Sequence, residues 1–355
     1  MTNDPVTQSP GDSSLALHLL SMALGVAQTA VLCTAAQLGL ADHVKDGPKS
    51  VAALAEATGT HLPTLTRLMD VLVHLGLFRE TAPGQFTCTP LGALLQTDAP
   101  QSVRHFVMLI GGEWYGPTWP HLVHSVRTGT SAFESVVGTN VYNYFSQHPA
   151  ALAVFQQTMS DLSADEGLAV RDAYDFARCH TVVDLGGGRG GLLAFLLQAF
   201  PSLQGILFDL PVVVEGAQAV FQTEPLRGRC QLVGGNFLEA VPAGGDLYIL
   251  KRVLVDRTDD EVRTLFTNIR RAMAPHGRVL VADPDGRSSF GKLYDMLMLM
   301  VFASRLRTEA EVQALFAHTG FTLTRAIETR SMTSLRLLEG VPPSGGAGRA
   351  PGAPA

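Results

Sequence analysis

An acidic residue stands directly before a glycine-rich turn in the stretch VVDLGGGRGGLL, residues 182–193. Within it, Gly186, Gly188 and Gly191 have the GxGxxG spacing of nucleotide-binding turns, although dinucleotide enzymes share that spacing. Asp184 discriminates between ligands, because a carboxylate there repels a pyrophosphate seated at the helix N-terminus. An acid at this turn suits a ligand with an ammonium group and no phosphate, and S-adenosylmethionine is such a ligand.

Two further apolar runs end in residues that suit the rest of this cofactor. The segment FDLP places Asp209 at a strand end, 25 residues after Asp184, where its carboxylate can accept hydrogen bonds from both ribose hydroxyls. The segment VGGNF, residues 233–237, ends the next run. We expect Asn236 to meet the edge of the adenine ring and Phe237 to cover its face.

Short apolar runs after Arg178 position these residues. The runs are TVVDLGGG, GILFDLP, CQLVGGNF, DLYILKRV and RVLVADPD, and helical patterns separate them. Their spacing of about 20 to 30 residues predicts βαβ units and a parallel, doubly wound sheet. Because ligands of such sheets bind at the carboxyl ends of the strands, the motifs all fall at one edge.

The N-terminal region predicts a winged helix. Residues 51–59 and 61–78 have helical patterns, and FRETAPGQFTCTPLG after them predicts two short strands around a turn. Such a scaffold raises the alternative of DNA binding, but its second helix offers one arginine and two histidines and little else that is basic. Since phosphate contacts dominate nucleic-acid affinity, a dimerisation module is favoured.

Composition suits about two domains and disfavours a nucleic-acid partner. Of the 355 residues, 46% are apolar and 16% are charged, and the net charge is −6. DNA and RNA usually require a basic face, which this balance does not favour. Four widely spaced cysteines predict reduced, structural thiols and no metal site.

The N-terminal sequence also bears on the location of the protein. It lacks the basic and apolar regions of a signal peptide, so a cytoplasmic protein is expected. The uncharged span 13–41 has the length of a membrane helix, but polar residues interrupt it. We therefore predict a buried helix pair in an oligomer rather than a membrane partner.

The motifs resemble, in their order, the dimeric small-molecule O-methyltransferases, a family of plant caffeic-acid-type enzymes and bacterial natural-product tailoring enzymes. Five motifs agree in spacing: DLGGGRGG, FDLP, VGGNF, YILKRVL and RAMAPHGRVLVAD. The segments HSVRTGTSAF and MSDLS are similar to the family's linker, and GFTLTR to its closing strand. The resemblance covers about residues 14–335 and implies an α/β fold: a Rossmann-like, doubly wound methyltransferase sheet behind a mainly helical winged-helix domain that forms a homodimer.

The expected organisation has five parts. They are disorder at 1–13, a winged-helix-like dimerisation domain at 14–100, a helical linker and substrate-pocket segment at 101–175, a Rossmann-like methyltransferase domain at 176–337 and a disordered tail at 338–355.

Carried over by position, the resemblance implies a set of cofactor contacts. The set is Ser163, Asp184, Gly186, Gly188, Asp209, Leu210, Asn236, Phe237 and Lys251. The family usually has aspartate where this chain has Asn236, so one acceptor is kept and a charge is lost.

The stretch LKRVLVDRTDDE departs from the family where its catalytic base belongs. The family's pattern is Lys-His-x-Leu-His-Asp-Trp, and the second histidine removes the proton from the substrate hydroxyl. In this chain Arg252 and Val255 replace the two histidines, and Asp256 is kept. The acids that orient the base correspond to Asp283 and Leu306, so the base and one orienting acid are both missing.

Three routes are open to a site without that base. The substrate can be acidic and arrive ionised, a water or Asp256 can take the proton, or the protein has left methyl transfer, like an anthracycline-pathway hydroxylase of this fold. A general base is worth about 10²–10⁴-fold, whereas a sulfonium is already a strong leaving group and lets positioning supply much of the rate. The expected catalytic residues are Arg252, Asp256 and Asp283, with Arg252 as a fixed cation that stabilises a substrate oxyanion.

Aromatic and sulfur-bearing side chains are the candidate substrate contacts. Residues 101–175 are rich in aromatics, and the family clamps planar substrates with methionines from the helix LYDMLMLMVF. The candidates are Trp114, Phe155, Met159, Met296 and Met300.

The sequence thus predicts a methyltransferase of secondary metabolism that uses S-adenosylmethionine. Its substrate is expected to be an aromatic or polyketide-like small molecule, methylated at oxygen without the usual histidine base. The alternative is a hydroxylase-like tailoring enzyme of the same fold that binds the cofactor and no longer transfers methyl. A winged-helix regulator is disfavoured by the sequence pI of about 6.0.

Overall fold

A computed structural model describes residues 12–343, with side chains from residue 14. This part of the chain divides into two compact units. The first unit comprises the residues up to Pro117 together with Phe145–Asp161, and the second comprises Thr118–Tyr144 together with the residues from Leu162 onward. The disorder predicted for residues 1–11 and 344–355 lies outside the described residues.

The first unit is mainly helical. Its helices are α1 (Asp12–Ala23), α2 (Gly25–Gln37), α3 (Leu40–His43), α4 (Val51–Thr58), α5 (Leu62–His74), α6 (Pro90–Ala93) and α7 (Arg104–Gly111). The Ser50 side chain caps α4 by accepting a hydrogen bond from the Ala53 N–H, and Gly59 ends this helix in the left-handed region. Pro63 lies in the first turn of α5, where its missing N–H is not needed.

A small sheet completes the winged-helix arrangement. Its strands are β1 (Lys49–Ser50), β2 (Phe78–Ala82) and β3 (Gln85–Cys88), in the order β1-β3-β2. Both pairings are antiparallel. The predicted order of two helices followed by a hairpin is therefore confirmed.

Helix α1 is not buried within the first unit. Leu17, Leu19 and Leu20 are 68%, 66% and 63% exposed, whereas α2 buries Cys33 and its alanine neighbours. In the single chain no described element of this unit covers the apolar side chains of α1, so burial of this helix pair in an oligomer stays a prediction. No single described helix is long and apolar enough to cross a membrane. The helices Ser14–Ala23 and Gly25–Gln37, bent by 43° at the break between them, reach that length and composition only when taken together.

A seven-stranded sheet forms the centre of the second unit. The strands are β4 (Thr181–Leu185), β5 (Gln204–Asp209), β6 (Cys230–Gly234), β7 (Leu247–Lys251), β8 (Arg278–Pro284), β9 (Thr322–Glu328) and β10 (Leu335–Val341). Their order is β6-β5-β4-β7-β8-β10-β9, and the first five pair in parallel. The five predicted parallel strands and the doubly wound sheet are confirmed.

Strand β10 corrects the predicted start of the tail at residue 338. It pairs antiparallel with both β8 and β9, and it continues through Val341. Leu337 packs against one face of the sheet and Leu338 against the other. Burial on both faces makes this a sheet strand rather than the beginning of a disordered segment.

Helices cover both faces of this sheet. The remaining helices are α8 (Leu122–Thr128), α9 (Ala132–Val137), α10 (Val141–Gln147), α11 (Pro149–Ala173), α12 (Gly191–Ala199), α13 (Pro211–Glu215), α14 (Gln218–Phe221), α15 (Asp259–Ala272), α16 (Ser289–Phe302) and α17 (Glu309–His318). Val182 packs with α12 on one face, and its neighbour Val183 packs with α15 and α17 on the other. This alternation is the two-residue period of a strand that is buried on both sides.

The segment 101–175, predicted as a separate linker, is divided between the two units. Phe133 is fully buried in the second unit, where its ring meets Tyr144 edge to face. Phe145 packs against Phe155 in the first unit, with ring centroids 4.8 Å apart. The aromatic side chains of this segment therefore contribute to two cores.

Candidate active site

The glycine-rich turn lies directly above Asp184 at the end of β4. Asp184 is 1% exposed, and its Oδ2 atom has no hydrogen-bond partner among the described residues. A Cβ at Gly187 would lie 2.5 Å from that oxygen, so only glycine allows the turn to pass this close. Burial raises the pKa of Asp184 to about 7, an effect that the Lys251 cation opposes.

Asp209 at the end of β5 is fastened to the same turn. Its Oδ2 accepts a hydrogen bond from the Gly188 N–H at 2.8 Å, and its Oδ1 accepts one from the Leu210 N–H at 2.7 Å. A carboxylate has about four acceptor positions, so two stay available for the hydroxyls of a ribose. The Leu210 side chain is exposed beside it.

Phe237 and Asn236 differ in how they fit their expected contacts. A Cβ at Gly186 would lie 3.8 Å from the Phe237 ring, and the Arg257 guanidinium lies 5.3 Å from the centre of that ring. The Asn236 amide is engaged in its own loop: it donates to Glu239 and accepts from the Leu238 N–H. Phe237 thus borders the turn, whereas Asn236 would have to rotate to meet an adenine edge.

A buried carboxylate that sequence reasoning missed, Glu166, joins the strand-end cations. The Lys251 ammonium donates to Ser163 and to Glu166, both at 3.1 Å, so the structure brings together Ser163 and Lys251 as expected. The Glu166 side chain is fully buried and also accepts from the hydroxyl of Thr333 at 2.8 Å. Burial by itself would raise the pKa of Glu166, but Arg252 and Lys251 lower it to about 2.

A pattern signal for Glu166 exists in the sequence. On α11, Leu162, Glu166 and Val170 are spaced by four residues, and all three are buried. A single acid between apolar residues on the buried face of a helix requires a cationic partner.

Arg252 is a partner of Glu166 rather than a free cation. Its Nε and Nη2 atoms donate to Glu166 at 2.8 and 2.5 Å, and its Nη1 donates to the hydroxyl oxygen of Tyr294 at 3.0 Å. Burial would lower the pKa of Arg252, but the Glu166 carboxylate raises it. The guanidinium is therefore always charged, and most of its charge is balanced inside the protein.

An apolar cluster contains the two positions at which the family resemblance implies a base and its orienting acid. Val255 and Leu306, each 7% exposed, form this cluster with Met298, and Tyr294 and Phe302 pack against it. Val255 and Leu306, the two departures from the family pattern, thus lie in one cluster. No proton acceptor lies among these three side chains.

The loop that carries Val255 is fixed by Arg307. It forms a short 3-10 helix, Leu254–Asp256. Arg307 donates hydrogen bonds to the carbonyl groups of Leu254 and Arg257, and it pairs with Asp259 at 2.8 Å. Its side chain is 3% exposed, so it serves this loop and is not available to a substrate.

The two remaining acids predicted to be catalytic have distinct surroundings. Asp256 lies 3.7 Å from Arg257 and is partly exposed, and burial raises its pKa. The Oδ1 atom of Asp283 is buried without a hydrogen-bond partner among the described residues. Burial raises the pKa of Asp283 to about 7, against the lowering effect of Arg252 and Arg307. Burial thus disfavours the charged form of both carboxyl groups.

The candidate substrate contacts are divided between the units. Trp114, Phe155 and Met159 belong to the first unit, and Met296 and Met300 belong to the second. Trp114 has a buried Nε1 atom without a hydrogen-bond partner among the described residues, and Met296 is half-buried. Met300 is fully buried, and its sulfur accepts from the Thr118 hydroxyl at 3.5 Å; its contact with a substrate stays a prediction.

These residues fit S-adenosylmethionine. The unpartnered Asp184 oxygen is an acceptor for an ammonium group, Asp209 offers acceptors for a ribose, and the space beside Gly188 of the turn is open. Such a cofactor supplies an electrophilic methyl group on a sulfonium. The surrounding arrangement can hold the cofactor but offers no strong base beside the apolar cluster.

Comparison with known proteins identifies relatives along the chain. The family model of the O-methyltransferase domain matches residues 119–322, and that of the O-methyltransferase dimerisation domain matches residues 20–98. Phenazine O-methyltransferase PhzM of Lysobacter antibioticus is 40% identical over 92% of this chain and 96% of the relative. Mitomycin biosynthesis 6-O-methyltransferase of Streptomyces lavendulae is 34% identical over 92% of this chain and 96% of the relative. Among solved structures, CalO1, a methyltransferase in calicheamicin biosynthesis in its SAH-bound form, has a TM-score of 0.86 and 34% identity, covering 94% of this chain and all of that one (100%).

Proposed function

Because this chain belongs to the S-adenosylmethionine-dependent O-methyltransferases of secondary metabolism, we propose that it methylates an aromatic hydroxyl group that is already ionised when it binds. The acceptor would be a planar aromatic natural product or polyketide-like compound whose ring lowers the pKa of its hydroxyl group. The names of the relatives, which act in phenazine and mitomycin pathways, support a polycyclic substrate.

The observation that carries this proposal is the cluster of Val255, Leu306 and Met298. A histidine base needs an acid to orient it, and neither group is present in this cluster. The carboxylate of Glu166 cannot replace them, because a pKa of about 2 makes it a very weak base. A substrate that arrives ionised needs no proton acceptor, and positioning beside the sulfonium can then supply much of the rate.

The proposed cofactor contacts are those implied by the family resemblance. Asp184 would pair with the ammonium group of the methionine portion, Asp209 would accept from the ribose, and Phe237 would cover the adenine. Gly186 and Gly188 keep the turn open, while Ser163, Leu210, Asn236 and Lys251 would complete the site. The proposed contacts of the aromatic substrate are Trp114, Phe155, Met159, Met296 and Met300.

The test is the pH dependence of methyl transfer to a graded series of acceptors. Methyl-labelled cofactor would be incubated with hydroxylated phenazines, naphthoates and nitrophenols of different acidity, and label in the product would be measured from pH 5 to 10. We expect kcat/KM for each compound to rise about tenfold per pH unit below the pKa of its own hydroxyl group. Above that pKa it should level off, because only the ionised fraction reacts.

Two outcomes would contradict the proposal. A single midpoint shared by all acceptors would indicate a base on the protein. Tight cofactor binding without any labelled product across the series would instead favour the hydroxylase-like alternative. As a control, Val255→His should leave cofactor affinity and the pH profiles unchanged, because Leu306 cannot orient the new imidazole ring. The double variant V255H/L306E should methylate weakly acidic phenols at a lower pH than L306E alone does.

We also propose that the protein forms a homodimer through its N-terminal unit. The match to a dimerisation domain supports this assembly, and so do the exposed leucines of α1, which a second copy of the chain would cover. We expect L17E/L20E to convert a dimer to a monomer in analytical ultracentrifugation, while an added charge at the exposed residue Thr322 should not. A wild-type protein that sediments as a monomer at micromolar concentration would contradict the assembly.

A further inference from the structure

The hydroxyl group of Tyr294 borders the apolar cluster that replaces the base. Tyr294 lies on α16 and packs against Val255, Met298 and Leu306. Its side chain is half-buried, so part of its surface stays accessible. Its hydroxyl is therefore a polar group beside the position of the missing histidine.

Arg252 fixes both the ring and the oxygen of this tyrosine. Its Nη1 donates to the Tyr294 hydroxyl oxygen at 3.0 Å, and its guanidinium carbon lies 5.4 Å from the centre of the ring. Glu166 holds the opposite side of the guanidinium through Nε and Nη2. The ring of Phe290 stacks on Tyr294 at 5.4 Å with an interplanar angle of 16°. Arg252 itself has a φ of 57°, a left-handed conformation that aims its side chain at a backbone cost.

This arrangement leaves Tyr294 with a proton to donate. A tyrosine hydroxyl has one proton, and here its oxygen already accepts from a cation. Among the described residues no acceptor receives the Tyr294 proton. A donor whose oxygen is polarised by a charged group forms a stronger hydrogen bond, and its best acceptor is an anion.

The charges around the cluster make such a donor necessary for an anionic ligand. Asp256 of the 3-10 helix and Asp283 of β8 are both acidic, and the former lies near the hydroxyl of Tyr142 on α10. Most of the Arg252 charge is balanced by Glu166. Asp256 in turn is paired with Arg257, so no cation beside the cluster is left unbalanced for an ionised aromatic hydroxyl, and a directional hydrogen-bond donor would stabilise it.

We propose that Tyr294 contacts the acceptor atom of the substrate and donates a hydrogen bond to its ionised oxygen. The inference rests on the proposed function, since it requires a substrate that binds as an anion. Arg252 and Glu166 are then positioning residues that act through Tyr294, and the oxyanion role expected for Arg252 passes to the tyrosine. The methyl group is accepted by another lone pair of the same oxygen, so Tyr294 keeps its proton throughout.

The test measures ionisation of a bound acceptor separately from methyl transfer. The probe is 4-nitro-1-naphthol, whose visible absorbance reports its ionised form, added to protein saturated with S-adenosylhomocysteine. We expect the wild-type protein to favour the ionised form roughly ten- to a hundredfold, as a hydrogen bond to a charged group does, and Tyr294→Phe to abolish that preference. An unshifted titration of the probe with the wild type, or an equal shift with Y294F, would overturn the proposal.

Three further measurements separate this role from a structural one. Tyr142→Phe should leave the probe titration unchanged. If Y142F abolished the preference for the ionised probe and Y294F did not, the donor would be Tyr142 rather than Tyr294. Arg252→Lys should abolish the preference for the ionised probe as Y294F does, because lysine cannot hold Glu166 and Tyr294 at once. The double variant Y294F/R252K should differ little from either single variant. In turnover, Y294F should raise KM roughly ten- to a hundredfold at a pH below the acceptor's pKa and change kcat far less.

Failure of this inference and failure of the proposed function give different results. If each acceptor's rate follows its own ionisation while Y294F has the wild-type KM, the proposed function stands and the role of Tyr294 is wrong. If all acceptors share one midpoint, the proposed function itself is wrong.

Discussion

Glu166→Gln is expected to lower the free energy of unfolding by about 3–5 kcal/mol, the usual effect of removing one partner from a buried ion pair. The carboxylate is fully buried and accepts from Lys251, Arg252 and Thr333. A glutamine keeps the shape but leaves two buried cations without a counter-charge. Urea denaturation at pH 7, followed by circular dichroism, measures the difference.

The same variant has a characteristic pH dependence. The pKa of Glu166 in the folded protein is about 2, below the ordinary value of 4.5 for a glutamate, so its contribution to stability is fully present above about pH 4.5 and is lost as pH falls toward 2. The stability difference between wild type and E166Q should therefore narrow across that window. E166Q/K251M should recover part of the loss because it removes one uncompensated cation.

A matched control lies on the same helix. Asp172 is exposed, and its one ion pair among residues 14–343 is with its neighbour Arg171, so Asp172→Asn should leave the urea midpoint unchanged. Equal stability of E166Q and D172N would show that Glu166 is not the centre of this charge network.

Asp184→Asn is expected to weaken binding of S-adenosylmethionine about a hundredfold, which isothermal titration calorimetry can measure. An ammonium group of the cofactor would pair with the unpartnered Oδ2 atom, and an amide in its place has no charge to offer. Since burial raises the pKa of Asp184 to about 7, the free protein carries a proton there below neutral pH. Binding must then expel that proton, so the wild-type Kd should rise about tenfold per pH unit below 7.

The D184N variant should lose this pH dependence together with its affinity. Asp246 provides a control, because its carboxylate accepts from the N–H groups of His180 and Thr181 at the opposite end of β4. Asp246→Asn should keep the wild-type dependence of Kd on pH. A D184N protein that binds the cofactor with wild-type affinity would remove Asp184 from the site.

The fold was predictable because its signals are local and repeated. Five apolar runs were each separated from the next by a helical pattern, and the first of them ended at a glycine-rich turn, so the parallel sheet and the place of that turn followed. The full length of strand β10 was not predicted, because its sequence adjoins a glycine- and proline-rich tail. Its antiparallel pairing with β8 and β9 is not visible in the local sequence. Pairing across the sheet, not the local pattern, makes it a strand.

The site was predictable only where one residue acts alone with the backbone. Asp184 and Asp209 could be placed because each ends a strand beside the glycine-rich turn. Glu166 and Tyr294 could not be placed, since their roles arise from contacts over 86 and 42 residues with Arg252. For the same reason Arg252 was assigned to the substrate: its sequence position shows a cation at a strand end but not the carboxylate that neutralises it.

The apolar cluster of Val255, Leu306 and Met298 has a consequence for regioselectivity. A site that cannot remove a proton reacts only with the most acidic hydroxyl of a polyhydroxylated ring, whichever hydroxyl its shape would otherwise admit. Methylation of that group removes its charge and leaves hydroxyls of higher pKa, which stay protonated at neutral pH. Under the proposed function, the acidity of the substrate would therefore select the hydroxyl group that is methylated, and the reaction would stop after one methyl group.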